Sequence, residues 1–287
     1  MVILNRLLEV FRAVDKIYLP IVRNRGLLRP SSNCILWKLE MTIKKSLTLA
    51  ITLLFLATNV VAEEPNWTSY QSVLNHVKPG MKNGVSLIQV DYQTIKTNGS
   101  LDKAYQALSS FNLEQLSNRQ EKLSFYINAY NILALKKVVD HWPTESIKDS
   151  GNFFSPVWDK PAGSLGGETV SLGYVEHKIL RPMGEPRIHL AIVCASVSCP
   201  DLRGEPYIAA KLNQQLDDQA RQFLNNQGKG LKIGENVIRI SKIFDWFEQD
   251  FDNQGGVRAF IKRYREELPQ TKIKANISYD WATNGME

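Results

Sequence analysis

Cysteine and histidine are scarce: the 287 residues hold three of the first and four of the second. That excludes a disulfide-dense scaffold and leaves little material for arrays of zinc modules. Internal repeats and low-complexity tracts are absent, so solenoid and linker-like architectures drop out. No apolar run reaches the roughly 20 residues that a membrane-spanning helix prefers. The longest, Leu47 to Val61, follows Lys44 and Lys45 and leads into Val60-Val61-Ala62 before Glu63-Glu64. This is the order of a secretory signal, with a basic start, an apolar middle and small residues at the cleavage point. Residues 41–62 are therefore expected to be a signal peptide, residues 1–40 a non-native N-terminal extension ahead of Met41, and residues 63–287 one exported globular domain, periplasmic or secreted. No Cys follows the cleavage point, which argues against a lipoprotein.

Excess charge of one sign is also missing once the leader is set aside. Nine of the 35 basic residues and three of the 29 acidic ones lie within residues 1–62, which leaves 26 of each. The formal net charge of +6 thus belongs to the leader, and a nucleic-acid partner loses its support. After signal removal no membrane partner is expected either, and an unidentified substrate or ligand is. Cys34 goes with the leader. Cys194 and Cys199 remain in a domain of about 225 residues, large enough to fold without a staple.

What is present reads as α+β, a mostly helical single domain with a small sheet. Leu101 to Phe111 has the pattern of a short amphipathic helix. Ser117 with Gln120 resembles a capping box opening a long helix to about His141, closed by Trp142-Pro143. Its residues Leu123 to Leu135 leave hardly any polar face, which predicts a helix through the core. Asp149 to Gly167 is the longest turn-rich stretch. Ser171 can cap a helix from Leu172 to Leu180, closed by Arg181-Pro182. The apolar run Ile188 to Cys194 predicts an interior strand. Beyond it come a helix over 207–225, a hairpin over 231–240, helices after Ser241 and over 257–267, and a last strand over 273–279. Regular βα alternation is missing, and the strands are expected late in the chain.

Chemistry-bearing side chains concentrate in three places. Asn128 and Asn131 lie three apart on the apolar helix, beside Tyr126 and Tyr130, and share a face. Buried amides need partners, so each either pins a loop or orients a reacting group. His177 sits in EHKIL. The densest collection is His189-LAIV-Cys194-A-Ser196-V-Ser198-Cys199-P, where strand alternation would hold His189 and Cys194 on opposite faces and leave Cys199, beyond the turn, freer to approach His189. Pro200 makes Cys199 a plausible cap at a helical turn, where local dipoles lower a thiol pKa. Catalytic candidates are thus Cys199 as nucleophile, His189 or His177 as base, and Asn128 and Asn131 as orienting groups. Cys194, Ser196, Ser198 and Tyr130 are the binding candidates. The competing expectation is a Cys194–Cys199 disulfide in a non-catalytic ligand- or partner-binding domain. A redox pair fits poorly, because thioredoxin-like motifs use a two-residue interval and this one is four. His177, His189, Cys194 and Cys199 match no familiar zinc spacing, and neither a metal nor a cofactor is expected. Asp245-Trp246 and Asp280-Trp281 read as packing anchors, since no facing pair of carboxylates can be placed for glycosidase chemistry.

In order along the chain, FYINAYNILAL, VEHKILRP, HLAIVCASVSCPDLR, ISKIFDWFEQDF and ISYDWATN resemble the family catalogued as domain of unknown function 547, over about residues 120–284. Bacterial members are commonly exported. The resemblance implies that Asn128, Asn131, His177, His189, Ser196, Ser198 and Cys199 stand at the family's signature positions, and it supplies no established reaction. The leading expectation is an exported thiol-dependent hydrolase or acyltransferase using a Cys-His pair, with a papain-like or transglutaminase-like architecture.

Overall fold

The central feature is a 22-residue helix that is buried along most of its length, and everything else is arranged on it. The computed structural model describes residues 65–151 and 156–286, within the compact unit Ala62–Glu287. The leader at 41–62, the extension at 1–40 and Cys34 lie outside the described residues, as do residues 152–155 of the turn-rich stretch. The elements run α1 (Thr68–Leu74), β1 (Val77–Lys82), β2 (Val85–Val90), α2 (Tyr92–Asn98), α3 (Ser100–Ser109) and α4 (Arg119–Asp140), the central helix. Then follow β3 (Pro161–Leu165), β4 (Glu168–Ser171) and α5 (Leu172–Tyr174), which continues as a π-helical turn over Val175–Leu180. The chain closes with α6 (Leu212–Asn225), β5 (Leu231–Ile233), β6 (Val237–Ile240), α7 (Ile243–Trp246), α8 (Gly256–Tyr264) and β7 (Lys272–Lys274). Helices predominate over small sheets, and the domain is α+β.

Two expectations about strands need correcting. Strands are not confined to the late chain, because β1–β2 and β3–β4 form antiparallel hairpins before residue 172. Only the third sheet is late, with β5 antiparallel to β6 and β7 parallel to it. The second correction concerns Ile188–Cys194, which is not a strand. Pro186 opens a 3-10 turn over Pro186–Leu190, with the Glu185 carboxylate accepting from the Arg187 N–H, and the chain then runs irregularly to Cys194.

A buried irregular segment is stable only if its backbone polar groups find partners, and here α4 supplies them. The Asn131 amide donates to the Ala191 carbonyl (3.0 Å) and accepts from the Val193 N–H (2.8 Å). One side chain thereby replaces a neighbouring strand. Asn128 does the same for Tyr207, donating to its carbonyl (2.8 Å) and accepting from its N–H (2.9 Å).

The start of α4 is fixed one residue later than the sequence pattern suggests. Asn118, extended at φ −129° and ψ 171°, caps the helix and forms a reciprocal capping box with Glu121. Ser117 donates to Glu121 from both N–H and hydroxyl, which adds to the fit. Such caps are typically worth about 1 kcal/mol.

Two hydrophobic clusters meet at the irregular segment. The larger surrounds α4 and includes Ile188 and Ala191, while the smaller contains Leu190 with Phe244, Phe251 and Phe260. The chain after β7 then returns as a strap along the Cys loop. Val197 N–H donates to the Ala282 carbonyl, Ser198 N–H to Asp280, Asn284 N–H to Ala195, and Val90 N–H to Asn284. The loop is also tied from below, where buried Lys229 meets Asp201 at 2.6 Å and the Gln219 amide donates to the Asp201 carbonyl.

A candidate thiol site at the seam of the two clusters

The seam leaves a cavity of about 260 Å³, lined among others by Tyr130, Glu176, His177, His189, Cys194 and Cys199. Trp158, Trp246, Phe247, Tyr279 and Trp281 supply its aromatic walls. Each side chain arrives by an identifiable local device. Ser171 caps α5 by accepting from the Tyr174 N–H, and the π-helical turn that follows brings the consecutive residues Glu176 and His177 to the same cavity. Single π-turns inside helices are often found at functional sites.

His189, 3% exposed, is carried by an ion pair rather than by a thiol. Its Nε2 lies 2.7 Å from Asp250 Oδ2, and Arg181 grips both oxygens of the same carboxylate, at 2.7 Å and 2.8 Å. Burial, despite its own push upward, is outweighed by these partners, which hold the Asp250 carboxyl below its usual range. Ionised Asp250 is an acceptor, so His189 carries its proton on Nε2 and presents a lone pair at Nδ1. That Nδ1 is buried without a hydrogen-bond partner, and Glu176 Oε1 lies 3.8 Å away. Burial pushes the His189 pKa down to about 4, opposed by Asp250, so the ring is neutral at pH 7. Phe247 stacks on it at 4.0 Å with 15° between the planes.

Glu176 is 6% exposed, and burial raises its pKa to about 7, helped by Cys194 and opposed by Arg181. Two titratable groups in one cavity are thus pushed in opposite directions, in both cases first by burial.

The two cysteines are unequal. Cys199 is 3% exposed, and its sulfur accepts from the Cys194 N–H at 2.8 Å. Cys194 is half-buried, with the Ser196 hydroxyl at 3.2 Å and the Tyr279 hydroxyl at 3.3 Å from its sulfur. The expected disulfide is not formed: both thiols are free and the sulfurs lie 2.9 Å apart without a bond. A hydrogen bond from Cys199, and after it those from Ser196 and Tyr279, lowers the Cys194 pKa. Burial and the neighbouring Cys194 push the Cys199 pKa up. The two hydroxyls at the Cys194 sulfur favour a thiolate there, and deeper burial disfavours one on Cys199.

Ala195, next to Cys194, holds φ +59°, a left-handed conformation that costs a residue with a Cβ roughly 1–2 kcal/mol. The strap retains it, since Asn284 N–H binds the Ala195 carbonyl and Ser196 bridges to Thr283. This tight turn and the irregular segment before it bring Cys194 and His189 to one cavity, where strand alternation had put them on opposite faces.

Of the residues singled out from sequence, His177, His189, Cys194, Cys199 and Tyr130 line the cavity. Ser196 borders it through Cys194, and Ser198 is turned to the strap, accepting from the Asp280 N–H at 2.8 Å. Asn128 and Asn131 do not line it; both amides are engaged with loop backbone. Sequence reasoning missed Glu176, Asp250, Arg181 and Tyr279, and read Trp246 and Trp281 most simply as packing. The available signal for the tryptophans was their pairing with Asp in two segments that also carry the family pattern.

A free thiol that shares a cavity with a carboxylate-held imidazole and aromatic walls makes this a candidate thiol centre in a helix-rich α+β domain. Residues 113–224 match the model of the family described as protein of unknown function, DUF547. That span includes α4, the π-helical turn, His189 and both cysteines, whereas Asp250, Tyr279, Trp246 and Trp281 lie beyond it. No curated protein matches the chain. No solved structure matches it either.

Proposed function

We propose that this chain is a thiol-dependent acyl-transfer enzyme, a hydrolase or acyltransferase, with Cys194 rather than Cys199 as the nucleophile. The observation that carries the proposal is the hydrogen-bonded Cys194 sulfur, lowered in pKa, in the same cavity as Glu176 and the free Nδ1 of His189. The Cys194 thiolate attacks the carbonyl carbon of an ester or amide, the carbon–sulfur bond forms, and the leaving group departs with a proton from the Glu176 carboxyl. In the second half a water or another acceptor attacks the thioester, His189 Nδ1 takes its proton, the thiolate is released, and the imidazolium returns a proton to the Glu176 carboxylate 3.8 Å away, which restores both groups. Asp250 fixes the imidazole, and Asn131 is a positioning residue for the segment between His189 and Cys194.

The test is acylation by an activated ester, with the modified residue located by mass spectrometry. At neutral pH the native protein is expected to be labelled once, at Cys194, with Cys199 reacting only after unfolding. Labelling of the Cys194→Ala variant at the native rate, or equal labelling of both cysteines in the folded protein, sinks the assignment. Export by the segment at 41–62 belongs to the same proposal. Protein recovered from the exported fraction is expected to begin at Glu63, and an N-terminus elsewhere would overturn that part.

A further inference from the structure

The walls of the cavity have a pronounced chemical bias. Among the described residues they carry no Lys or Arg. The two histidines that line it both have lowered pKa values, burial being the first cause in each, so neither supplies a cation at neutral pH. The lining offers acceptors in the Glu176 carboxyl and the Cys194 sulfur, with the buried, unpartnered Nδ1 of His189 3.8 Å from Glu176, and its donors, on Tyr130, Tyr279 and the three tryptophans, are neutral. An anionic ligand would find no cationic side chain in that lining and would face the Glu176 carboxyl. A neutral apolar ligand would leave Nδ1 without a partner, at a cost typical of a buried unsatisfied group.

The rings point the same way. Trp246, half-exposed, stacks on Trp281 at 5.8 Å and 19° and lies 4.8 Å from Tyr279, while Trp158 meets Trp281 edge-on at 5.6 Å. Faces of such rings attract cations. Lys148 already sits 4.5 Å over Trp281, and Arg181 lies 5.3 Å over Phe247, although neither lines the cavity and Arg181 is neutralised by Asp250.

We propose that this cavity takes a primary ammonium group, its donors directed to Glu176 and His189 Nδ1 and its alkyl chain among the tryptophans, so that the acyl acceptor of this thiol is an amine. As an acceptor role it rests on Cys194 being the nucleophile; as a binding site it stands without it. The ammonium gives one proton to the Glu176 carboxylate and becomes the free amine. Its nitrogen attacks the thioester carbonyl carbon, the carbon–nitrogen bond forms as the carbon–sulfur bond breaks, His189 Nδ1 takes the second nitrogen proton, and the Cys194 thiolate is restored. The products are an amide, the free enzyme and one proton, which the buried His189 imidazolium releases to solvent.

The experiment compares four small probes, n-butylammonium, tetramethylammonium, 1-butanol and butanoate, titrated into the full chain at pH 7.5 and read by calorimetry and by melting temperature. Butylammonium is expected to bind at least tenfold more tightly than each of the others and to raise Tm with concentration. Glu176→Gln is expected to weaken it tenfold or more and Trp281→Ala several-fold, with Cys194→Ala retaining it. Butanol or butanoate binding as well as butylammonium overturns the proposal, as does no binding by any probe, and equal binding of tetramethylammonium overturns the hydrogen-bonded primary ammonium. A second arm acylates Cys194 and adds butylammonium, with formation of the N-butyl amide followed by mass spectrometry. Binding without acylation removes the nucleophile reading alone; acylation without butylammonium binding removes the amine alone.

Discussion

Replacing Asn131 with leucine is expected to lower the unfolding free energy by about 4 kcal/mol. The side chain is 1% exposed, and its two bonds serve the Ala191 carbonyl and the Val193 N–H. Leucine fills most of the volume but meets neither group, and a buried backbone group without a partner costs roughly 1–3 kcal/mol. Two such groups give a range of about 2 to 6 kcal/mol. Urea unfolding of Asn131→Leu and Asn128→Leu side by side checks the argument. Both are expected to lose stability to a similar degree, because Asn128 serves two backbone groups of Tyr207 in the same way. Only Asn131→Leu is expected to slow acylation of Cys194 under folding conditions, since Val193 adjoins that thiol. A loss below about 1 kcal/mol for Asn131→Leu would remove the backbone-partner role.

That pair of asparagines also shows what sequence can and cannot convey. Their spacing on an apolar helix was enough to say that they are buried and must be bonded, and the long core helix was legible from its lack of a polar face. Which atoms they bond was not legible, because the partners lie 60 and 79 residues further on. The Ile188–Cys194 segment failed for a related reason. A buried apolar run of that length is normally a strand because a sheet neighbour satisfies its backbone, and nothing local reveals that an asparagine on a helix does so instead. The β1–β2 and β3–β4 hairpins carry no strict alternation of burial, so period-2 patterning gave no warning of them.

The site was half visible for the same physical reason. Clustering of His, Ser and Cys in one short segment located it, but the choice between two cysteines depends on Tyr279 and on which sulfur is more deeply buried, both set by long-range packing. Glu176 carries no sequence mark of its burial, and Asp250 is one acid among several in its segment. Their importance comes from a cavity assembled across α4, the π-helical turn, α7 and the C-terminal strap.

Glu176 gives the largest expected departure in pH dependence. Its pKa rises from 4.5 to about 7 on folding, through burial first and the Cys194 charge second, with Asp250 adding to the rise and with Arg181 and a hydrogen bond from Tyr130 opposing it. The folded state thus holds this proton more tightly than the unfolded one. The associated stability is fully present below pH 4.5 and is lost as pH rises to about 7, at about 1.4 kcal/mol per pH unit. His189 runs the other way. Its pKa falls from 6.5 to about 4 through burial, so its share of stability is present above pH 6.5 and is lost as pH falls toward 4. Between about pH 4.5 and 6.5 the two slopes oppose and largely cancel in the native protein. Glu176→Gln removes one of them without removing the other. Relative to the native protein, the variant is therefore expected to gain about 3 kcal/mol between pH 4.5 and pH 7, and its own stability should climb steeply over that interval. Urea denaturation at half-unit pH steps, fitted with a common m-value, measures the difference directly. Parallel curves for the two proteins would show that Glu176 is not held protonated by its surroundings. In that event the carboxyl could not serve as the proton donor at the Cys194 leaving group, and the acid step would have to come from elsewhere in the cavity.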